Sequence, residues 1–137
     1  MSDSPVHSDE PVRPVGVLVV DDQVVFRRVA RAVIDATAGF EVIGAAASGA
    51  EALACADRLC PDLVLMDVHM PQMDGFEATR RLTASHPESV VILISLEEQE
   101  GVPVAVAACG AAAFTRKRDL GPRTLRRLWT RYGHHAE

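Results

Sequence analysis

Residues that could take part in chemistry follow four of the short apolar segments in this sequence. They comprise three carboxylates, a hydroxyl and an ammonium: Asp21, Asp22, Asp67, Ser95 and Lys117. A carboxylate can act as a nucleophile, and a hydroxyl and an ammonium can bind phosphoryl oxygens. This combination indicates phosphoryl transfer, provided that the fold brings the residues together.

Three carboxylates at one place need a counter-charge. Two carboxylates about 4–5 Å apart repel each other by roughly 3–4 kcal/mol at an effective dielectric constant near 20, so one of them must hold a proton or a cation must neutralise the site. Lys117 is the only lysine among 14 basic residues, and one ammonium cannot balance three negative charges. A divalent metal is the simplest solution, and oxygen ligands with coordination positions left open for phosphate favour Mg²⁺.

Each of these residues also has an ordinary structural interpretation. An aspartate pair after a strand can cap the next helix, and Asp67 can belong to a turn. Lys117 lies in a basic stretch between Arg116 and Arg118, where it can be a solvated charge. The occurrence of such residues at four strand ends at once favours a functional site over these separate explanations.

The elements that would position these residues alternate between strands and helices. Short apolar segments are typical of buried parallel strands, and five are present: Val15–Val20, Phe40–Ala47, Leu63–Met66, Val90–Ile94 and Ala112–Thr115. Helices are predicted after them, at the apolar stripe from Phe26 to Val33, at 48–59, 74–85 and 101–109, and at the stripe from Leu125 to Tyr132. Five such units predict an α/β fold, in which a parallel sheet carries helices on both faces and binds ligands at the carboxyl ends of its strands.

Composition limits the class of protein further. The chain has 137 residues, of which 48% are hydrophobic and 24% charged, as expected of one folded domain. No apolar segment approaches the roughly 18–20 residues of a membrane span, and the acidic start is unlike a secretory signal. The net charge of −5 argues against nucleic-acid binding. We interpret the three cysteines as buried thiols in a reducing cytoplasm.

Two longer motifs accompany the acidic residues. They are M-P-x-M-D-G at 70–75 and G-A-x-x-F-x-x-K at 110–117. With Asp21-Asp22, Asp67 and Ser95, they make residues 15–132 similar to the receiver domain of two-component response regulators. The family implies a flavodoxin-like, five-stranded parallel sheet of order 2-1-3-4-5. We therefore expect a flexible leader at 1–14, a receiver domain at 15–133 and a tail at 134–137.

The resemblance also implies roles for the acidic residues. Asp67 would accept a phosphoryl group from a phosphohistidine of a sensor histidine kinase or a phosphotransfer protein. Mg²⁺ would be bound by Asp22, by Asp67 and by the backbone carbonyl of His69, with Asp21 helping through the water shell of the metal.

The remaining implied roles concern the response to phosphorylation. Lys117 would pair with the phosphoryl group, Ser95 would move towards it, and Phe114 would repack inward as a switch residue. The fourth helix, fifth strand and fifth helix would carry the signal to a partner, an output domain or a second copy of the chain in a homodimer. The apolar segment 102–109 would then be either part of this partner surface or a helix buried against the sheet.

Two other functions compete with this interpretation. One is a receiver-like interaction module that never carries phosphate, although such a module has no need to maintain the repulsion between its carboxylates. The other is a Mg²⁺-dependent aspartyl phosphohydrolase, which usually has a second acid two residues after its nucleophile, where this chain has His69. We therefore expect a cytoplasmic signalling switch rather than an enzyme with conventional turnover, and no membrane or direct nucleic-acid partner.

Overall fold

Five strands and five α-helices alternate along the chain in a computed structural model, which describes residues 13–96 and 102–133, except for the side chains of 102 and 103. The strands are β1 (Val15–Val20), β2 (Phe40–Ala46), β3 (Leu63–Asp67), β4 (Val90–Ser95) and β5 (Ala113–Arg116). The helices are α1 (Val24–Asp35), α2 (Gly49–Leu59), α3 (Gly75–Ser85), α4 (Val102–Cys109) and α5 (Pro122–Tyr132). A 3₁₀ turn (Lys117–Asp119) follows β5. Most of the predicted leader (1–14) and all of the predicted tail (134–137) lie outside the described residues.

The strands form one parallel sheet in the order β2-β1-β3-β4-β5, which confirms the predicted topology. Neighbouring strands are aligned at their carboxyl ends, since Val20 of β1 pairs with Met66 of β3 and Asp67 of β3 pairs with Ile94 of β4. The chain passes from β1 to β2 on one side and then continues with β3 on the other side of β1, so the strand order reverses between β1 and β3. Ligand sites in such sheets lie at this point of reversal, beyond the strand ends.

Both faces of the sheet are buried beneath helices. Val17 and Val19 of β1 belong to a core cluster shared with α1 and α5, whereas Leu18 and Val20 belong to a cluster shared with α2, α3 and α4. All four side chains are at most 1% exposed. This double burial explains why the strand appears in the sequence as an unbroken apolar segment rather than as an alternating pattern.

Two expectations from the sequence need correction. The alternative in which the fourth helix is buried against the sheet is wrong for much of α4, because Val104 is 74% exposed. Only part of the helix follows it, since Cys109 is buried and Val106 packs against the core. Burial of all three cysteines is wrong for Cys60, which is exposed and ends α2 in the left-handed region at φ 48°. Within the described ranges, no helix has both the length and the apolar character needed to cross a membrane.

Candidate functional site

Three carboxylates meet at the carboxyl end of the two central strands. Oxygens of Asp21, Asp22 and Asp67 all lie within 4.8 Å of one another. The meeting follows from the sheet: β1 and β3 are paired neighbours, so the residues that end β3 and follow β1 reach the same edge. Asp21 is fully buried and Asp67 is 3% exposed, while Asp22 is the most accessible of the three. The predicted acidic cluster is therefore present.

Lys117 reaches the same cluster from the 3₁₀ turn after β5. Its Nζ atom lies 2.5 Å from Oδ2 of Asp21 and 3.7 Å from Oδ1 of Asp67. The lysine side chain is only 10% exposed, so little water screens these contacts. Since one ammonium faces three carboxylates, the cluster retains excess negative charge and can accept a cation.

Burial of Asp67 changes its acidity. The pKa of its carboxyl group is raised to about 6, chiefly by loss of solvation and then by the nearby charge of Asp21, while Lys117 and the backbone N–H of His69 oppose the change. Desolvation penalises the charged form of a carboxyl group, and a neighbouring negative charge acts in the same direction. In the absence of a bound cation, Asp67 is thus a carboxylate held under electrostatic strain at neutral pH.

Backbone groups fix the orientation of the two buried carboxylates. The N–H of Gln23 donates to Oδ1 of Asp21 at 2.8 Å, and the N–H of His69 donates to Oδ1 of Asp67 at 3.3 Å. The guanidinium of Arg27 also donates to the backbone carbonyl of Asp21 at 2.7 Å. These bonds hold the acidic side chains in place before any ligand arrives.

The M-P-x-M-D-G motif forms the turn between β3 and α3. Gln72 has a positive φ of 72°, and Asp74 caps α3 by accepting a hydrogen bond from the N–H of Glu77 at 2.9 Å. The N–H of Gly75 donates to the carbonyl of Val68 at 2.8 Å. A Cβ atom at Gly75 would collide with the backbone carbonyl of Asp67, so glycine is needed for α3 to begin directly beside the acidic cluster.

Ser95, His69 and Phe114 occupy the places at which the sequence puts them. Ser95 ends β4 and is 2% exposed, whereas His69 is exposed on the turn after Asp67. Phe114 is half-buried in β5, pairs with Leu93, and packs against the cluster beneath α2, α3 and α4. Of the predicted site residues, Asp21, Asp22, Asp67 and Lys117 are thus joined by direct geometry, and His69 contacts Asp67 through its backbone N–H. Ser95 and Phe114 lie on the two strands that follow β3 in the sheet.

One aromatic contact and one cleft were not predicted. The ring of Phe26 on α1 lies beneath the ammonium of Lys117, with Nζ 4.6 Å from the ring centroid. Beside this contact is a cleft of about 510 Å³ lined mainly by apolar side chains. Its lining consists of Gln23, Val25, Phe26, Val29, Leu96, Lys117 and Arg118. The apolar stripe on the first helix indicated that Phe26 faces the core. Only its position one helical turn after Asp22 could have indicated that it also lies near the acidic cluster.

The donor set fits a magnesium ion. Its three side chains offer carboxylate oxygens alone, which suit a hard cation, and the excess negative charge is of the correct sign. Asp22 is accessible, so the cluster is open to solvent, as an ion that retains water molecules requires. The acidic cluster could therefore hold Mg²⁺ through Asp22 and Asp67, with Asp21 close enough to take part.

Comparisons with known proteins agree with this geometry. Residues 17–128 match the family model of the response regulator receiver domain. The chain is 43% identical over 112 residues to protein-glutamate methylesterase/protein-glutamine glutaminase 5 of Anaeromyxobacter dehalogenans, a match that covers 81% of this chain and 31% of that protein. It is 41% identical over 103 residues to the response regulator GacA of Pseudomonas viridiflava, with coverage of 75% and 48%. The chain thus spans between about a third and half of these relatives.

Solved structures of receiver proteins superpose on this chain as well. The response regulator domain of Thermotoga maritima CheB superposes with a TM-score of 0.77 at 30% identity, covering 86% of this chain and 96% of that domain. The CheX–CheY–BeF3–Mg²⁺ complex from Borrelia burgdorferi gives a TM-score of 0.78 at 28% identity, with coverage of 89% and 92%. The fold, the acidic cluster and the family match together place the chain in the receiver domain family of response regulators, the signalling domains of two-component phosphorelay systems.

Proposed function

We propose that Asp67 accepts a phosphoryl group from a phosphohistidine of a sensor histidine kinase or phosphotransfer protein, in a reaction that requires Mg²⁺. The observation that carries this proposal is the convergence of Asp21, Asp22, Asp67 and Lys117 at one edge of the sheet. Phosphoryl transfer depends mainly on positioning and on neutralising the phosphoryl oxygens, and this cluster combines a nucleophile, an ammonium and a place for a cation.

The proposed transfer uses Asp67 as the nucleophile. One carboxylate oxygen bonds to phosphorus while the phosphorus–nitrogen bond of the donor breaks, and the imidazole leaves with the electron pair of that bond. Asp22, Asp67 and the backbone carbonyl of His69 would bind the metal, and Asp21 would act through its water shell. When bound, the metal would supply positive charge that favours the ionised form of Asp67 and neutralises the incoming phosphoryl oxygens.

Lys117 and Ser95 are proposed to bind the phosphoryl group after transfer. Lys117 already lies 3.7 Å from Oδ1 of Asp67, so a phosphoryl group on Asp67 would place new acceptor oxygens within its reach. Ser95 ends β4, the strand next to β3, and its hydroxyl would bind another of these oxygens. Contacts present only in the phosphorylated state can shift a conformational equilibrium.

The proposed output surface consists of α4, β5 and α5. Phe114 lines a cleft of about 610 Å³ between β5 and α5, together with Leu128, Tyr132, Arg127 and Arg131 among others. Inward repacking of Phe114 would change the shape of this cleft, and so link the phosphorylation site to a partner or to a second copy of the chain. Sedimentation velocity with and without beryllofluoride tests the homodimer.

The phosphodonor is proposed to dock on the cleft beside Lys117. Val25 and Leu96, which line this cleft, are 69% and 73% exposed, and Val29 is 46% exposed. Exposed apolar side chains grouped around a reactive site are typical of a protein-docking surface. A docked donor would cover these side chains and bring its phosphohistidine to Asp67.

The wider setting of the domain is also a proposal. The receiver domain itself is not catalytic in the conventional sense, but some relatives are methylesterases, and the match covers only 31% of that relative. We propose that the receiver domain acts as a signalling switch rather than as an enzyme with conventional turnover. A cytoplasmic location is supported by its three free cysteines, which suit a reducing compartment.

Intact-protein mass spectrometry with a small phosphodonor, such as acetyl phosphate, separates the candidate functions. A Mg²⁺-dependent adduct of one phosphoryl group that is lost in Asp67→Asn supports the receiver. Steady turnover of several phosphomonoesters would instead indicate a phosphohydrolase. Absence of any adduct and of any metal effect would indicate an interaction module that does not carry phosphate.

A further inference from the structure

The ammonium of Lys117 has a third neighbour besides its two carboxylates. The ring of Phe26 lies under it, with Nζ 4.6 Å from the ring centroid. An ammonium within about 6 Å of the centre of an aromatic face is attracted by the negative electrostatic potential of that face. The contact is therefore electrostatic as well as apolar.

The side chain of Phe26 also contacts the core. Phe26 is half-buried and packs against the cluster beneath α1 and α5, so its ring is fixed in place by neighbouring side chains. Lys117, in contrast, has a long and flexible side chain whose ammonium tends to extend towards water. A fixed ring beneath a flexible ammonium can restrict where that ammonium goes.

The position of the ring matters because two carboxylates lie close to the ammonium of Lys117. Its Nζ atom is 2.5 Å from Asp21 and 3.7 Å from Asp67, so a phosphoryl group on Asp67 would attract the ammonium away from Asp21 and towards its own oxygens. The lysine side chain is only 10% exposed, and Phe26 and Lys117 line the same cleft. Removing the ring would open a path for the ammonium to leave the cluster.

We propose that Phe26 is a positioning residue, which holds the ammonium of Lys117 over the acidic cluster through a cation–π contact and keeps it poised for the phosphoryl group. The kinetic consequence rests on the proposed function, because it assumes phosphorylation of Asp67. The contact between Phe26 and Lys117 in the unphosphorylated protein does not depend on that assumption, so it can be measured separately.

Lys117 is the only lysine of the chain, which makes the resting contact directly observable. Lysine labelled with ¹³C and ¹⁵N gives one set of side-chain signals in an NMR spectrum of the metal-free protein. An ammonium over the face of a ring experiences a ring-current shift to high field at its Nζ and ε-methylene groups. We expect this shift in the native protein and in Phe26→Tyr, and its loss in Phe26→Leu, which keeps an apolar side chain without a π face.

The kinetic test uses acetyl phosphate and Mg²⁺, so that docking of a protein donor plays no part. Because Phe26→Leu removes the cation–π contact, we expect it to slow phosphorylation by about three- to tenfold. Phe26→Tyr keeps an aromatic face and should restore the native rate. In a Lys117→Gln background the same Phe26→Leu change should have no further effect, because the two residues act together. A purely structural role of Phe26 would instead slow both backgrounds equally.

The two proposals fail in different ways. Native protein that forms no adduct on Asp67 would overturn the proposed function. The NMR measurement would then decide separately whether Phe26 holds the ammonium of Lys117. A Lys117 signal without a ring-current shift in the native protein would overturn the role of Phe26. Equal rates for native protein and Phe26→Leu, with phosphorylation intact, would overturn it as well.

Discussion

The ammonium of Lys117 lies 2.5 Å from Oδ2 of Asp21, and this is the shorter of its two contacts with carboxylates. The longer one, at 3.7 Å, is with Asp67. Lys117 thus mainly neutralises the fully buried Asp21 and leaves Asp67 with only part of its charge balanced. The unbalanced negative charge is what the proposed Mg²⁺ ion would neutralise.

The charge of Asp67 should lower the stability of the metal-free protein. Its pKa is raised to about 6, above its value in an unfolded chain near 4. At neutral pH the folded protein must therefore keep ionised a carboxyl group that its surroundings disfavour. We expect Asp67→Asn to increase the free energy of unfolding at pH 7 by about 1–2 kcal/mol, after allowance for partial screening by solvent. Urea unfolding without divalent metal measures this difference.

The same effect should depend on pH in a defined direction. Between about pH 4 and pH 6 the folded state binds more protons at Asp67 than the unfolded state does, so the contribution of Asp67 to stability decreases as pH rises through this window. The advantage of Asp67→Asn should accordingly be small at pH 4, grow between pH 4 and pH 6, and be nearly complete at pH 7. A variant that is less stable than the native protein at pH 7 would show that burial of this carboxylate has no cost.

Magnesium should bind at the acidic cluster and depend on Asp22. Removing one of the carboxylates lowers both the number of oxygen ligands and the negative charge, so Asp22→Asn should weaken Mg²⁺ binding by at least tenfold. Isothermal titration calorimetry measures the affinity. Asp35→Asn removes an exposed carboxylate at the end of α1 and should leave the affinity unchanged. Equal affinities in the two variants would argue against the site.

Gly75 should be needed for the fold beside Asp67. A methyl group at this position would collide with the backbone carbonyl of Asp67, so either the turn or the start of α3 must move. We expect Gly75→Ala to reduce the free energy of unfolding by about 2–4 kcal/mol. The matched control is Gly121→Ala, where a Cβ atom meets no other atom within 4 Å and where a cost below about 1 kcal/mol is expected. Similar losses in both variants would contradict the steric explanation.

Docking of a protein donor should depend on the exposed apolar side chains beside Lys117. Val25 is 69% exposed in this cleft, so Val25→Glu should slow transfer from a phosphorylated donor protein by about tenfold or more. The rate with acetyl phosphate should remain unchanged, because no protein has to dock.

Val104 offers a matched control for Val25. It is 74% exposed on α4, so Val104→Glu makes the same chemical change at a different surface. Its rate of transfer from the donor protein should equal that of the native protein. A loss of transfer in Val104→Glu, with none in Val25→Glu, would place the donor on the α4 surface instead.

The sequence pattern predicted that Asp21, Asp22, Asp67 and Lys117 lie at the carboxyl edge of the sheet, whereas the strand order came from the resemblance to receiver domains. Parallel strands deliver the residues that follow them to one edge, but Asp21, Asp22 and Asp67 meet only because β1 and β3 are neighbours in the sheet. The placement of Ser95 and Phe114 on the fourth and fifth strands followed for the same reason, but their roles depend on a change of conformation and stay predictions.

Other features depend on how helices rotate against the sheet, which a sequence pattern constrains poorly. The helix at Val102–Cys109 is apolar on nearly every side, so periodicity could not tell which face would be buried, and much of it is exposed. Phe26 was placed in the core by its stripe, yet one edge of α1 also borders the site. The contact between Phe26 and Lys117 joins two distant parts of the chain and left no pattern in the sequence.

The most direct test of the account is to locate the phosphoryl group on the chain. Treatment of the protein with acetyl phosphate and Mg²⁺, followed by reduction with borohydride, converts an aspartyl phosphate into homoserine, which peptide mass spectrometry can identify by position. We predict homoserine at residue 67, in protein treated with Mg²⁺ and not in protein treated with a chelator. Homoserine at another aspartate, or equal amounts with and without metal, would contradict the account.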